Sequence, residues 1–198
     1  MLASAGGKPF TDPAWLYEIK FDGYRTLARF GGGDVELRTK NGTDCTRWYP
    51  EVVEALTQVS GGPYLIDGEA CVLDDLGRSD FNRLQDRAKR RRRYPGCDQV
   101  TLCVFDLLVE NGQNIMGLPL VERKARLARL LTGVPKAAVL MVGDLPADAA
   151  LFDQAVVPLL LEGFVAKRKA STYQPGVRSP DWLKVKRKGA VPPERFKR

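Results

Sequence analysis

The stretch "EIKFDGYR", Glu18 to Arg25, sets a lysine between an alternating apolar run and an Asp-Gly pair. Trp15, Tyr17 and Ile19 alternate with Leu16, Glu18 and Lys20, which is the period of a β-strand and puts Glu18 and Lys20 on one face. K-x-D-G by itself has two readings. Lys20 is an ordinary lysine flanking a strand, or it is a nucleophile. An ammonium is no nucleophile, so the second reading needs burial or a nearby cation such as Mg²⁺ to lower the pKa and free the amine. Gly23 would then let backbone approach a ligand, with Asp22 and Arg25 holding its polar groups.

Working outward, "YRTLARF", "GGGD" and "VELRTK" read as strand, turn and strand, with glycines suited to positive φ. "PEVVEALTQV" (50–59) is a short helix opened by proline. "YLIDGEACVLD" (64–74) is a strand with Asp67 and Glu69 on one face. "SDFNRLQDRAKRRRR" (79–93) has helical spacing at Phe81, Leu84 and Ala88 and becomes polybasic. "QVTLCVFDLLVENGQNI" (99–115) is an apolar strand ending in an Asn-Gly turn. "LVERKARLARLL" (120–131) is an amphipathic helix with a Glu122/Arg126 pair. "AAVLMV" is a strand, "ADAALFDQAV" (147–156) a helix, and "EGFVAKRK" and "WLKVKRK" are strands. The mixture predicts an α+β fold: an irregular lead-in at 1–14, one domain over 15–188 undivided by any linker, and a basic tail at 189–198.

Several polar side chains stand out from this frame. Glu69 in "LIDGEA" is a surface carboxylate or a group that accepts ribose hydroxyls or binds metal. Phe105 in "CVFDLL" is core or a stacking platform for a base. Glu162 sits between apolar neighbours, where a carboxylate is costly unless paired or bound to a cation. Lys184, Lys186 and Lys188 fall on one face of a half-buried strand, where they repel one another unless a polyphosphate lies among them.

The totals narrow the field less. Lys plus Arg exceed Asp plus Glu by 31 to 24, a net charge of +7, which suits a polyanionic partner or simply a basic soluble protein. There is no histidine, so the commonest general base and zinc ligand are missing. The four cysteines form no C-x-x-C pair, which argues against zinc and suits free thiols in a reducing cytosol. No apolar stretch reaches the roughly 20 residues of a membrane helix, and no signal peptide opens the chain, so a cytoplasmic protein is expected.

The motifs, in the order K-x-D-G-x-R, D-G-E, F-D, E-G-F-V-A-K-R and W-L-K-V-K-R, resemble those of the covalent nucleotidyltransferase superfamily. That superfamily takes in ATP-dependent DNA ligases, RNA ligases and mRNA capping enzymes. "STYQPGVRSPDWLKVKRK" (171–188) and "FNRLQDR" (81–87) are most similar to bacterial ATP-dependent DNA ligases of the end-joining repair type. The resemblance runs from about Trp15 to Lys188. It implies an ATP-grasp-like adenylation domain with antiparallel sheets flanked by helices and no OB-fold domain in the chain. It also implies roles. Lys20 attacks the α-phosphate of ATP and becomes lysyl-AMP. Glu18 and Ile19 border the adenine, and Phe105 stacks on it. Arg25 and Glu69 contact the ribose or the phosphate end. Glu162, with Glu69, serves Mg²⁺ or Mn²⁺. Lys184 and Lys186 hold the α-phosphate. AMP then passes to the 5′-phosphate of nicked or broken duplex DNA, in company with end-joining repair proteins, and the chain acts as a monomer.

Where the family commonly has Ser-Arg-Asn, this chain has "LRTKNG", so Arg38 and Lys40 are alternative DNA-phosphate contacts. Arg90, Arg91, Arg92 and Arg93 are either a solvated helix end or a sequence-independent phosphate contact. The short lead before Lys20 and the lack of a cysteine quartet point to ATP over NAD as donor. Without an OB-fold domain, weak nick sealing is expected. Competing readings are an RNA ligase or capping-type nucleotidyltransferase, and a non-catalytic nucleic-acid-binding module.

Overall fold

The computed structural model of the chain describes residues 1–190, so most of the expected basic tail lies outside it. In chain order the strands are β1 (Leu2–Ala5), β2 (Trp15–Ile19), β3 (Tyr24–Gly31), β4 (Asp34–Thr39), β5 (Tyr64–Cys71) and β6 (Thr101–Glu110). There follow β7 (Gln113–Asn114), β8 (Val139–Met141), β9 (Leu145–Pro146), β10 (Gly163–Arg168) and β11 (Arg178–Lys186). The helices are α1 (Pro50–Thr57), α2 (Phe81–Lys89) and α3 (Leu120–Leu130). Where the sequence suggests one undivided domain, the chain forms two compact units. The first joins Met1–Lys20 to the chain from Gly143 onward, and the second is Phe21–Val142.

The first unit is built on a five-stranded sheet in the order β1-β11-β10-β2-β9. Its apolar face is the one the alternation predicts. Trp15, Tyr17, Phe164, Ala166 and Val185 pack with Phe152 and Val156, and the rings of Tyr17 and Phe164 stack at 4.9 Å. The lead-in is not wholly irregular: Leu2–Ala5 pairs in parallel with β11, Leu2 against Arg178. "LASA" is too short and too weakly patterned to announce an edge strand. The helix expected at 147–156 is wound as a π-helix over Phe152–Val156, still with Phe152 and Val156 inward.

The second unit carries a six-stranded sheet ordered β4-β3-β5-β6-β7, with β8 parallel to β6. Its core joins Phe30, Leu37, Ile66, Val104 and Leu107 to Leu56 of α1, Leu84 of α2 and Leu127 of α3. Truncating one such leucine to alanine costs about 2–5 kcal/mol. The expected hairpins form at Gly31–Gly33, all at positive φ, and at Asn111-Gly112, with φ of 47° and 79°. α2 is capped by Asp80, which accepts from the Arg83 N–H at 3.0 Å. It ends at Lys89, four residues before the polybasic run does.

Two expectations for α3 change. Arg126 pairs with Glu110 at 2.7 Å, not with Glu122 one turn back. The inward face of α3 also carries charge: Arg123 and Lys124 are buried beside Leu120 and Leu127. Arg123 donates to both oxygens of Asp106 at 2.8 Å, and the Lys124 ammonium donates to the Val142 carbonyl at 3.1 Å. Buried charges survive when each has a partner of this kind.

Candidate active site

In the first unit the site grows from three neighbouring strands. β10 lies between β2 and β11, antiparallel to both. The register sets Glu18 against Val165 and Val165 against Lys184, making one row across the sheet. The next row is Lys20, whose N–H donates to the Gly163 carbonyl at 2.9 Å, then Gly163 itself, then Lys186. The row on the other side is Leu16, Lys167 and Trp182. Residues two apart share a face, so Glu18, Lys20, Lys167, Lys184 and Lys186 all project from the face opposite the apolar core. Lys188, expected in this set, falls beyond the end of β11.

Glycine is required at position 163. Its φ is +150°, and a Cβ there would stand 2.1 Å from the Val185 carbonyl oxygen. That close approach brings Glu162 to the end of the row. The carboxylate is almost enclosed, with 6% of its side-chain surface exposed. One oxygen accepts from Lys20 at 2.6 Å and the other from Lys186 at 2.9 Å. Lys184 stands beside them. Its pKa is held below the ordinary lysine value, first by burial and then by the charges of Lys20, Lys186 and Arg178. This end of the face therefore carries more ammonium groups than carboxylates and is suited to an anion.

The other end is charge-balanced. Glu18, 2% exposed, pairs with Lys167 at 2.5 Å, and the Lys167 ammonium lies 4.1 Å from the centre of the Trp182 ring. Sequence reading gave Lys167 no role. Its signal was the same alternation that singled out Lys184, two strands of one face read together. Ile19 projects to the opposite, apolar side, so any part it takes in nucleotide binding is through its backbone.

In the second unit β3, β5 and β6 bring Arg25, Asp67, Glu69 and Phe105 together. Arg25 lies opposite Glu69 in register and makes a two-pronged bond to Asp67, at 3.0 and 2.5 Å. Asp67 has no exposed surface. Phe105 is the unpaired residue of a bulge: Asp67 pairs with Asp106 and Gly68 with Val104. Bulges redirect side chains in this way. The ring comes to lie 5.4 Å from the Arg25 guanidinium. Asp67 and Asp106 were the residues sequence reasoning left unassigned; each turns out to anchor an arginine.

Gly23 corrects an expectation. Its missing side chain makes room for protein: a Cβ would stand 2.1 Å from the Ala70 carbonyl oxygen and 2.8 Å from the Cys71 sulfur. The four cysteines are all free thiols. Among the described residues no group of three or more His, Cys, Asp or Glu side chains could hold a metal ion, and no helix is long and apolar enough to cross a membrane.

The residues expected at DNA are also in the second unit. Arg38 is committed to Glu36 at 2.5 Å and to the Gly42 carbonyl at 3.0 Å. Lys40 lies just past the end of β4, and its N–H donates to the Arg25 carbonyl at 2.9 Å. Arg90 caps α2 and its guanidinium lies 4.2 Å from the Tyr94 ring. Arg91 lies over Trp48 at 5.4 Å. Arg93 lies 4.0 Å from Glu54, and Arg92 is exposed.

Comparison with known proteins follows this geometry. The family described as "ATP dependent DNA ligase domain" matches residues 3–186. The multifunctional non-homologous end joining protein LigD of Pseudomonas aeruginosa is 36% identical over 172 residues, 87% of this chain and 20% of that protein. The crystal structure of the ligase domain from M. tuberculosis LigD superposes with a TM-score of 0.78 at 32% identity, over 93% of this chain and 59% of that one. A mycobacterial DNA ligase D complexed with ATP gives a TM-score of 0.76 at 32% identity, over 93% and 58%. The chain thus spans a minor part of the full-length relative, and over nearly its whole length it belongs to the ATP-dependent DNA ligase domain family.

Proposed function

We propose that this chain is an adenylation domain: the Lys20 amine takes AMP from ATP as the α–β bond breaks and pyrophosphate leaves, and the 5′-phosphate of broken or nicked duplex DNA then takes the AMP in strand-break repair, freeing the Lys20 amine. The observation that carries the proposal is the face of the five-stranded sheet where Lys20, Lys184 and Lys186 surround one carboxylate, Glu162. A triphosphate relieves the repulsion among these ammonium groups. Lys184 and Lys186 are positioned to take the non-bridging oxygens of the α-phosphate and the charge that builds there during attack. Lys20 must give up a proton before it attacks, and Glu162 is the base in hydrogen-bond contact with it.

A divalent cation fits in a limited way. Glu162 alone is no cage, but magnesium commonly uses one or two carboxylates together with substrate phosphates. Glu162 would hold it once the nucleotide arrives, and the ion would supply neutralisation of phosphate charge. Glu69 faces Arg25 across the strands and is the weaker of the two expected ligands. In the second unit Phe105, flat and half-buried, is the surface for the adenine, and Arg25 and Glu69 are the groups for the ribose. Nicked or broken duplex DNA and end-joining repair proteins are the proposed partners, as the relatives' names indicate.

Transfer of label from α-labelled ATP, compared with GTP, to protein on a denaturing gel tests the donor. Subsequent chase with 5′-phosphorylated nicked DNA or RNA tests the acceptor. Labelling by GTP, or discharge only to RNA, would replace this reading by a capping-type or RNA-ligase one.

A further inference from the structure

The chemistry proposed above uses no thiol, yet two cysteines lie beside its nucleotide residues. In the second unit Cys71, Cys103 and Val142 form a small core of their own, and Phe21, Leu73, Phe105 and Leu140 pack against it. Phe105 is the proposed adenine surface, and Phe21 follows Lys20 in sequence. Glu69 stands directly opposite Cys103 across β5 and β6, and Cys71 is two residues further along β5. Glu69, Cys71 and Cys103 therefore share one face of the sheet. On the other side the Cys71 sulfur lies against Gly23, where an added Cβ would stand 2.8 Å from it.

The two thiols share a hydrogen bond. That bond, and then burial, push the Cys71 thiol well above its ordinary pKa, so the closed pair stays protonated and inert. An aliphatic residue would fill the same space without a reactive atom. What a pair of cysteines adds is the bond they can form.

Their place in the ladder gives that bond a consequence. Cys71 ends β5 and faces Thr101, which begins β6, so the thiols lie at the end of the β5–β6 ladder. Such an end opens locally at a lower cost than the whole fold. Cys71 and Cys103 are diagonal neighbours, not directly opposite ones. Diagonal Cβ atoms stand wider apart than the roughly 3.5–4.5 Å of a disulfide. Joining the sulfurs therefore draws the two strands along that diagonal. The irregular step of the ladder between Asp67 and Gly68, beside Phe105, is the nearest place to take up the movement.

We propose that Cys71 and Cys103 are a modification site: they form a reversible disulfide that closes the nucleotide site, with a small disulfide of the glutathione class as oxidant. When the ladder end opens, one cysteine gives up its proton and its thiolate attacks the small disulfide. The S–S bond of the oxidant breaks, a mixed disulfide forms, and one small thiolate leaves and is protonated. The second cysteine then loses its proton and attacks the protein sulfur of the mixed disulfide, expelling the second small thiol. The cysteine pair loses two electrons and two protons, and the oxidant is reduced to two thiols. The bond moves Phe105 and Glu69 out of the positions that the nucleotide needs, and its strain keeps it easily reduced. The effect on the nucleotide rests on the ligase reading above; formation of the disulfide does not.

The test treats the folded chain with glutathione disulfide, alkylates the remaining thiols, and locates links by peptide mapping. ATP binding is measured by calorimetry before treatment, after it, and after dithiothreitol. The parent is compared with Cys45→Ala/Cys97→Ala, which keeps only the pair, and with Cys71→Ala and Cys103→Ala. The expected result in the parent and the double variant is a Cys71–Cys103 link. The double variant loses the mass of two hydrogens. ATP affinity falls severalfold in both and returns with dithiothreitol. The two single variants form no such link and keep their affinity through the treatment. A parent with no Cys71–Cys103 link, or a link with ATP affinity unchanged, would overturn the proposal. So would an equal loss of affinity in the single variants, because another thiol would then be responsible. The parent and the double variant decide the matter even where a single variant folds poorly. A reduced parent that binds no ATP would overturn the ligase reading and the switch with it, while the peptide map still decides whether the disulfide forms.

Discussion

In the five-stranded sheet Lys20, Lys184 and Lys186 stand around a single carboxylate, Glu162. In the second unit each buried arginine has a carboxylate of its own: Arg123 has Asp106, and Arg87 has Glu51. Partly buried Arg25 likewise has Asp67. Both arrangements bury their carboxylates. Only the first leaves an excess of one sign. Matched pairs hold elements together and need nothing further, whereas the unmatched cluster leaves ammonium groups in excess, a repulsion that an anion would relieve. The contrast separates groups kept for the fold from groups kept for a ligand, and it can be broken in order of effect.

Asp106→Ala is the most damaging change. It strands the Arg123 guanidinium with no exposed surface, and breaking a buried pair from one side costs about 3–5 kcal/mol. Chemical denaturation should show a loss of that size. A loss below 1 kcal/mol would mean the pair is not the tie between β6 and α3. Lys167→Met should cost comparably by removing the ammonium paired with buried Glu18, and adding Glu18→Gln should restore most of the stability. Two additive losses would contradict a matched pair.

Lys184→Met should act in the opposite direction. Removing one of the crowded ammonium groups should raise the unfolding midpoint slightly and sharply weaken ATP binding. Destabilisation would show that the cluster is not under repulsion. The pH dependence follows from the same cause. Lys184 has its pKa lowered in the fold, so between that value and the ordinary lysine value of about 10.4 the unfolded chain binds more protons. Stability contributed by this residue therefore rises with pH through that window, and the rise should vanish in Lys184→Met. ATP affinity should fall over the same window as the ammonium is lost. At the small end, Arg29→Gln should leave stability nearly unchanged, because its bond to Glu36 is exposed.

Much of this was legible from residues alone. The alternation Trp15-Tyr17-Ile19 against Glu18-Lys20 predicted the two faces of the first sheet correctly, and the odd crowding of Lys184 and Lys186 pointed to the face where ammonium groups gather around Glu162. Three things were not legible. The matched pairs join residues far apart in sequence, so nothing local to Lys167 or Asp106 announced its partner. Gly23 and Gly163 were read for ligand or strand, whereas their requirement comes from carbonyls on neighbouring strands. The end of α2 at Lys89 was hidden because arginine is a good helix former and nothing in "KRRRR" marks a stop. The break between the units fell directly after Lys20, inside a stretch that reads as continuous.

The central claim is that Lys20 is the group the unmatched cluster serves. The most direct measurement is the intact mass of the chain before and after incubation with ATP and magnesium, alongside Lys20→Ala. The account predicts a gain equal to one AMP in the parent and none in the variant. ATP binding with no gain in the parent, or the same gain in Lys20→Ala, would contradict it.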